Sequence, residues 1–319
     1  MKEIFEKYEY EGLQLRNRVV RAATNDYSGL ENGIVSDLQF DLYKKLAEGK
    51  IGLIITGNFY VTDDGRLDFN QNSITKHWKM KNAEKLCEIV HEYGSKLVFQ
   101  ISHAGAKSKV CSESQYKYAE VNKLSQEEIN KLIKDFIDAT DRALDAKADG
   151  IQLHFGHGYL LNNILCQHNG GIKIAEKLFQ GIRKKHKTVP LLVKVNTDTD
   201  MEIFEAFIRL CEQYGIWAIE LSGSDFQKKK REETNYYMSS IETVKRLTDI
   251  PVIMTGGVRS IQNAEEALLA GADMIGMSRP FISEPWLMLK WENQKSRCIS
   301  CCKCFSIYQE EKRHCIFEE

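Results

Sequence analysis

Eight short apolar runs, distributed along the whole 319-residue chain, constrain the fold more than any other feature of the sequence. Each run is nearly continuous in apolar character, which is typical of parallel strands that are buried on both faces of a sheet. The runs are residues 18–23, 51–57, 96–102, 150–154, 190–195, 217–222, 251–257 and 273–278. The sequence therefore predicts eight buried strands.

Longer amphipathic segments separate these runs and predict helices. In the clearest one, Ser125 is a suitable N-cap and Glu128 follows three residues later, before apolar residues recur at helical spacing. The predicted helices lie near residues 36–49, 78–93, 125–147, 171–186, 201–214, 239–248, 260–270 and 283–292. Eight strand–helix repeats predict an α/β fold of the (β/α)8 TIM barrel class. A doubly wound open sheet is the alternative, but it usually has six strands, and no GxGxxG motif follows the first run.

Composition and charge limit the classes of partner. The formal net charge is -1, which argues against binding of nucleic acid. The charged N-terminal sequence and the lack of an apolar run of ~18 residues lead us to expect no signal peptide, no membrane contact and a cytoplasmic protein. Only four prolines occur and no linker-like tract divides the chain. We expect one barrel domain over residues 1–295 and a cysteine-rich tail over residues 296–319 that packs on it.

A barrel of this class places its functional residues at the carboxyl ends of the strands and in the loops that follow. Lys194 lies within an otherwise apolar run, where a charged amine is costly unless it meets an anion or faces a polar cavity. The other polar residues at predicted strand ends are Gln100 and His103 after the third run, and His154, His157 and Tyr159 after the fourth. Taken alone, the last two histidines could be zinc ligands or a polar corner of the core.

Glycines and an arginine follow the last two runs. Gly256 and Gly257 leave backbone N–H groups free to face an anion near the start of the next helix. Ser278 and Arg279 occupy the matching place after the eighth run, and Arg279 adds a charge-assisted donor. The loops after strands seven and eight of such barrels frequently bind phosphate, so the sequence predicts a phosphorylated cofactor with a polar ring system.

Several motifs, in their order along the chain, resemble the Old Yellow Enzyme family of FMN-dependent barrels. They are LRNRVVRAAT (15–24), GLIITG (52–57), VFQISHAG (98–105), IQLHFGHGYLLNNIL (151–165), IPVIMTGGV (250–258) and GADMIGMSRPFISEP (271–285). The resemblance implies an oxidoreductase with FMN as cofactor, NADH or NADPH as reductant and an α,β-unsaturated carbonyl compound as substrate. It leaves open whether the chain forms a homo-oligomer.

The resemblance also implies which residues bind the cofactor. The first-strand segment would pass under the flavin, and Gln100 would bind the pyrimidine edge of its ring. Lys194 would stand near N1 and O2, where the family usually has an arginine, and a cation there favours the anionic reduced flavin. The full set so implied is Ala22, Ala23, Thr24, Gly57, Gln100, Lys194, Gly256, Gly257, Ser278 and Arg279.

The same resemblance implies the catalytic residues. His154 and His157 would donate hydrogen bonds to the substrate carbonyl, so that its β-carbon accepts hydride from flavin N5. Tyr159 would deliver a proton to the α-carbon. Ping-pong kinetics would follow, because reductant and substrate use the same face of the flavin. The loop after the fourth strand, CQHNGGIK (166–173), is shorter than family members usually have, so we expect a more open mouth.

Five of the nine cysteines lie between residues 298 and 315. The spacing of Cys298, Cys301, Cys304 and Cys315 suits a [4Fe–4S] cluster or a tetrahedral zinc, and larger relatives of the family hold a cluster here with a slightly wider spacing. A reduced tail without metal is the favoured interpretation. A cluster would require an external electron donor, such as a ferredoxin.

Three alternatives stand beside a flavin-dependent ene-reductase. They are an iron–sulfur flavoprotein reductase of the dienoyl-CoA reductase type, a degenerate flavin-binding barrel without turnover, and a phosphate-binding lyase that uses Lys194 as a Schiff-base lysine. Retention of His154, His157 and Tyr159 argues against the degenerate barrel, since a protein that only binds flavin does not need all three.

Overall fold

Eight parallel strands close into a barrel in a computed structural model of the protein, which describes residues 3–305 and 314–317. The strands of the chain are β1 (Tyr8–Tyr10), β2 (Leu13–Leu15), β3 (Val19–Arg21), β4 (Leu53–Ile55), β5 (Phe59–Tyr60), β6 (Lys96–Ser102), β7 (Gly150–Phe155), β8 (Leu191–Asn196), β9 (Ala218–Ser222), β10 (Val252–Thr255) and β11 (Met274–Met277). The barrel consists of β3, β4 and β6 to β11, and β11 pairs with β3 to close it. The predicted TIM barrel is confirmed, and each of the eight apolar runs supplies one barrel strand.

Helices cover the outside of the barrel. They are α1 (Asp37–Glu48), α2 (Lys81–Glu92), α3 (Ser112–Lys117), α4 (Gln126–Asp145), α5 (Leu160–Gln167), α6 (Gly171–Lys185), α7 (Met201–Gln213), α8 (Ser239–Leu247), α9 (Ile261–Leu269) and α10 (Arg279–Ser283). The capping box predicted for α4 is present, because Ser125 Oγ accepts from the Glu128 N–H (3.2 Å) while the Glu128 carboxylate accepts from the Ser125 N–H (2.8 Å). This cap satisfies N–H groups that an α-helix leaves free at its start.

The helix predicted over residues 283–292 is wrong. The chain instead forms the short helix α10 directly after β11, and then a single 3-10 turn at Leu287–Leu289. Pro280 suits the first turn of α10, whereas Pro285 lacks an N–H and disfavours a helical conformation at Glu284. Pro285 therefore interrupts what the hydrophobic pattern alone suggests is one helix over residues 283–292.

Successive lumen-facing residues of the strands change from apolar to polar toward the carboxyl ends. Leu192, Ala218 and Ile253 belong to an apolar cluster inside the barrel. Two positions later on the same strands stand Lys194, Glu220 and Thr255. Because side chains two apart in a strand share a face, the polar set forms a layer directly above the apolar one.

A hairpin of β1 and β2 packs against the amino end of the barrel. Tyr8, Leu13 and Leu15 of the hairpin are buried in the same cluster as the apolar lumen residues. Trp217 joins them and donates its indole N–H to the Tyr10 carbonyl (2.8 Å). The amino end is thus filled, and open space lies at the carboxyl end. No helix within the described ranges is long and apolar enough to cross a membrane.

Candidate active site

A cavity of about 440 Å³ lies at the carboxyl ends of the barrel strands. Its volume falls in the range of ~300–1,000 Å³ that is typical of cofactor and small-molecule sites. Predicted site residues that line the cavity are Ala23, Thr24, Gln100, His154, His157, Tyr159, Lys194, Gly256, Gly257, Ser278 and Arg279. Ala22 and Gly57 lie outside the lining: Ala22 is fully buried, and Gly57 donates its N–H to the Tyr43 hydroxyl (3.0 Å).

His154, His157 and Tyr159 form one cluster of polar rings on the cavity wall. The ring centroid of His154 lies 5.1 Å from that of His157 and 4.7 Å from that of Tyr159. His157 has a left-handed backbone (φ 58°), and its N–H donates to Asn196 Oδ1 (3.1 Å). Gly158 follows with φ 69°, and α5 begins directly after Tyr159. The tight turn between β7 and α5 therefore brings the three rings together.

Both histidines of this cluster are neutral near pH 7. Burial and the positive charges of Lys194 and Lys107 lower the pKa of His157 to about 3. Burial, then the proximity of His157 and of the same two lysines, holds the pKa of His154 well below its ordinary value. A neutral imidazole has one N–H donor, which His154 can carry on its unpartnered Nδ1. His157 Nε2 lies 3.1 Å from Ser222 Oγ, so His157 can donate to a ligand from Nδ1 when Nε2 accepts the Ser222 hydroxyl.

Lys107 lies over the ring cluster. Its Nζ donates to the carbonyl oxygen of His157 (2.5 Å) and lies 6.0 Å from the centroid of the Tyr159 ring. Partial burial lowers the pKa of its ammonium group. Sequence reasoning missed Lys107, because the stretch GAKSK reads as an ordinary polar loop.

A buried polar chain crosses the lumen beneath the cavity, and sequence reasoning found only its two ends. Lys194 Nζ donates to Glu220 Oε1 (2.7 Å), and Gln152 Nε2 donates to Glu220 Oε2 (2.7 Å). Gln100 Nε2 in turn donates to Gln152 Oε1 (2.7 Å). Gln152 and Glu220 are fully buried. A signal for Glu220 exists in the sequence, since a carboxylate in the apolar run WAIELS is as unusual as a lysine in LLVKVN.

The predicted phosphate site lies on the opposite side of the barrel mouth, after β10 and β11. Gly256 and Gly257 have φ values of 142° and 81°, and a Cβ on Gly257 would lie 2.8 Å from the Asn235 nitrogen. The Arg279 guanidinium lies 5.7 Å from the centroid of the Tyr236 ring and donates to Cys302 Sγ (3.0 Å). Glycine backbone and a held guanidinium together suit a phosphate group.

Three features of the lining fit a flavin mononucleotide. Thr255 Oγ1 and His154 Nδ1 are buried without a hydrogen-bond partner among the described residues. Buried polar atoms are normally satisfied, so both atoms have bonding capacity for a ligand. Gly276 leaves room beside Thr255, because a Cβ there would lie 1.9 Å from Thr255 Oγ1. Ser278 Oγ also hydrogen-bonds to Thr24 Oγ1 (2.7 Å), which joins the ring side of the cavity to its phosphate side.

His103, predicted at the rim of the mouth, does not line the cavity. Its side chain is fully buried, with Nε2 3.6 Å from Asp64 Oδ1 and with Nδ1 accepting the Gly105 N–H (3.0 Å). Strand β6 ends at Ser102, so the alternation of its side chains does not extend to His103. The chain then turns at Gly105 (φ 59°), and the His103 side chain faces away from the lumen. His103 therefore supports the loop rather than the site.

The cysteine-rich tail approaches the phosphate side. The N–H of Ser296 donates to the Arg259 carbonyl (2.8 Å), and Ser300 contributes to the cavity lining. Burial and the neighbouring Cys315 and Cys301 raise the pKa of the Cys298 thiol. Within the described ranges, no group of three or more Cys, His, Asp or Glu side chains is placed to hold a metal ion. Residues 306–313 and 318–319 of the predicted tail lie outside the described residues.

Comparison with known proteins agrees with this geometry. The model of the NADH:flavin oxidoreductase / NADH oxidase family matches residues 3–171, more than half of the chain, and a dihydrouridine synthase (Dus) model matches residues 171–316. The chain is 27% identical to NADH oxidase of Thermoanaerobacter brockii over 93% of its own length, but it spans only 52% of that relative. It is 26% identical to NADPH dehydrogenase of Geobacillus sp. (strain WCH70), over 89% of this chain and 92% of the relative.

Among solved structures, Old Yellow Enzyme from Pichia sp. AKU4542 has the same fold, with a TM-score of 0.77, 18% identity and coverage of 94% of this chain and 90% of that one. The predicted membership of the Old Yellow Enzyme family, the FMN cofactor and the nicotinamide reductant are thereby confirmed. A TIM barrel, a cavity that fits FMN and a family model that matches more than half of the residues lead to one conclusion: the chain belongs to the NADH:flavin oxidoreductase / NADH oxidase family.

Proposed function

We propose that the protein reduces the C=C bond of α,β-unsaturated carbonyl compounds, with FMN as its cofactor and NADH or NADPH as its reductant. The proposal rests on one observation, the ring cluster of His154, His157 and Tyr159 on the wall of a cavity that fits FMN. Binding of a flavin alone would require neither two hydrogen-bond donors nor an acid at this place.

FMN, when bound, supplies the hydride chemistry of the reaction. Thr24, Gln100 and Lys194 would hold its ring system, and Gly256, Gly257, Ser278 and Arg279 would hold its phosphate. His154 and His157 would donate one hydrogen bond each to the carbonyl oxygen of the substrate. Their neutral state suits this role, because a neutral donor binds a carbonyl and stabilises the negative charge that develops on its oxygen.

Tyr159 would hold the proton that completes the reduction. This role is supported by the position of Tyr159 at the N-cap of α5, with its ring centroid 4.7 Å from that of His154. A phenol is an adequate acid for this step, because the enolate that it protonates is a strong base. The Lys107 ammonium near the ring would stabilise the phenolate that remains after proton transfer.

The test is a spectroscopic cycle on the purified protein. We expect bound FMN, loss of its colour when NADH or NADPH is added without oxygen, and return of the colour when 2-cyclohexenone follows. Protein that cannot be reconstituted with FMN would contradict the proposal. Protein that is reduced by the nucleotides but is not reoxidised by any enone would be a flavin oxidoreductase with another substrate.

Either nicotinamide nucleotide is included in the proposal. The relative from Thermoanaerobacter brockii is named an NADH oxidase, and the relative from Geobacillus is named an NADPH dehydrogenase. Anaerobic reduction rates with each nucleotide, measured at several concentrations, identify the preferred one.

We also propose that residues 1–295 form the FMN-binding barrel and that residues 296–319 form a reduced tail in a cytoplasmic protein. The contacts of Ser296 with Arg259 and of Cys302 with Arg279 support a tail that packs on the barrel. Iron and acid-labile sulfide analysis of anaerobically purified protein tests the tail. A stoichiometric iron content would replace this proposal by an iron–sulfur flavoprotein with an external electron donor.

A further inference from the structure

We propose that Glu220 is a positioning residue that holds Lys194 charged on the cavity wall and, through that lysine, sets the reduction potential of the bound flavin. The inference rests on the proposed function in one respect, namely that FMN binds in the cavity with its ring beside Lys194. Neither the family resemblance nor the cavity lining includes Glu220, which lies behind Lys194 and out of contact with the cavity.

The geometry fixes the carboxylate at two points. Lys194 Nζ donates to Glu220 Oε1 and Gln152 Nε2 donates to Glu220 Oε2, both at 2.7 Å. Lys194 and Glu220 are paired neighbours in the register of β8 and β9, and their side chains are 4% and 0% exposed. Because both oxygens of Glu220 are held, its position and that of Lys194 are set by the barrel itself rather than by the ligand.

The electrostatics follow from burial. An isolated charge in this layer would be strongly unfavourable, and the ion pair removes most of that cost for both partners. The titratable groups that face Lys194 are Glu220 and, on the cavity side, the neutral His154 and His157. Glu220 is therefore the charge that balances Lys194.

The positions of the two charges predict the direction in which the reduction potential of a bound flavin shifts. Lys194 lies at the cavity and Glu220 behind it, so a bound ring meets the cation first, while the carboxylate offsets part of its field. A cation at this place favours the reduced, more negative cofactor. Without the Glu220 carboxylate, a charged Lys194 in this buried layer is strongly unfavourable, so removal of Glu220 should cost the lysine its positive charge and lower the potential, as removal of the Lys194 charge itself should.

The experiment measures the potential of FMN-loaded protein by equilibration with a reference dye at pH 7.5. In Glu220→Gln we expect the ratio of reduced to oxidised flavin, at a fixed dye poise, to fall about tenfold, or ~30 mV for two electrons. Lys194→Met should shift the ratio in the same direction. Adding Glu220→Gln to Lys194→Met should change the ratio no further, because Glu220 acts through the lysine.

Asp273→Asn serves as the matched control. Asp273 also accepts from a lysine, Lys245, at 2.7 Å, but it precedes β11 at the amino end of the barrel, so its removal should leave the potential unchanged. If Glu220→Gln does not fold, Glu220→Asp decides, since its shorter side chain cannot hold both partners and should shift the ratio in the same direction by less.

Three outcomes would overturn the inference. The first is a wild-type potential in FMN-loaded Glu220→Gln or, where that variant does not fold, in Glu220→Asp. The second is a raised potential in either variant, and the third is an equal fall with and without Lys194. A wild-type protein that binds no FMN would instead contradict the proposed function, so the two failures are distinguishable.

Discussion

Asp149, which is largely buried before β7, and His154, near the end of the same strand, show how differently the two ends of the barrel accommodate a titratable group. The Asp149 carboxylate accepts hydrogen bonds from His91 Nε2 (2.6 Å), Lys96 Nζ (2.9 Å) and the Leu97 N–H (2.8 Å). At the carboxyl end, His154 Nδ1 and Thr255 Oγ1 are buried and have no partner among the described residues.

This difference separates stability from function within one sheet. The Asp149 carboxylate at the amino end is satisfied by the protein, so it stabilises the closed barrel whether or not a ligand binds. His154 and Thr255 at the carboxyl end keep unused bonding capacity, which is unfavourable in the free protein and available to a ligand. Substitutions at the two ends should therefore have opposite patterns of effect.

The largest effect is expected at the carboxyl end, from Tyr159→Phe. Enone reduction by the reduced protein should slow by about 10²–10⁴, the usual contribution of a positioned acid, while flavin reduction by NAD(P)H stays nearly unchanged. Anaerobic stopped-flow measurement of the two half-reactions checks this. Tyr116→Phe, at a residue that is 83% exposed, is the control. Equal losses in both half-reactions would assign Tyr159 a different role.

Asp149→Ala is the counterpart at the amino end. It should lower the free energy of unfolding by about 2–3 kcal/mol, because three donors lose a charged acceptor, and leave enone reduction unchanged. Urea unfolding and steady-state rates measure the two quantities. Asp135→Ala, which removes an exposed α4 pair with Lys131, should cost at most about 0.5 kcal/mol. A large loss of activity in folded Asp149→Ala would contradict the separation of the two ends.

Acid should destabilise the two ends in different pH ranges. The folded-state pKa of His157 is about 3 and that of His154 is also lowered, so the unfolded chain binds more protons below pH 6.5. Stability should therefore fall from pH 6.5 toward pH 5 by about 1.4 kcal/mol per pH unit for each histidine.

The pKa of Asp149 is also lowered: burial opposes the shift, but hydrogen bonds from His91, Leu97 and Lys96 outweigh it. Its contribution is consequently lost only below its unfolded pKa, near pH 4.

Urea midpoints of FMN-free protein across pH 4.5–7.5 test this assignment. His157→Gln removes one titrating group from the carboxyl end, so the slope of stability against pH should become less steep by about 1.4 kcal/mol per unit. An unchanged slope in this variant would mean that the acid sensitivity arises elsewhere in the barrel.

The smallest effect is expected from Thr255→Val. Replacing an unpartnered buried hydroxyl by a methyl group should leave the free energy of unfolding unchanged or raise it by up to about 1 kcal/mol. The affinity for FMN should fall a few-fold, because one donor to the ligand is lost. Fluorescence titration with FMN and thermal unfolding measure both quantities. A destabilised variant would show that Thr255 has a structural partner after all.

The barrel itself could be predicted from the sequence, because eight buried apolar runs that alternate with amphipathic segments are compatible with few other folds. The alternation of side chains within each strand was also informative, because residues two positions apart face the same side, here the barrel lumen. That period, followed from Leu192 to Lys194 and from Ala218 to Glu220, places both charged residues in the lumen. Their pairing could not be predicted in the same way, because no local pattern shows which charged residues meet across neighbouring strands.

The failures lie where strand or helix periodicity ends. His103 follows β6 by one residue, and the turn at Gly105 directs its side chain toward Asp64 instead of the mouth. Helix prediction failed over residues 283–292 because Pro285 interrupts an otherwise suitable hydrophobic pattern. The tail was recognised from its cysteines, but its approach to Arg279 depends on a long-range contact that the spacing of thiols does not encode.

The hairpin of β1 and β2 has a consequence for the rate of turnover. With the amino end of the lumen filled by Trp217 and its neighbours, molecules reach the polar layer through the mouth at the other end. In the proposed reaction, nucleotide and enone would use this mouth in turn, so each could bind only after the other has left. The initial rate should consequently pass through a maximum as enone concentration rises at fixed NAD(P)H, because enone bound in the mouth delays binding of the next nucleotide.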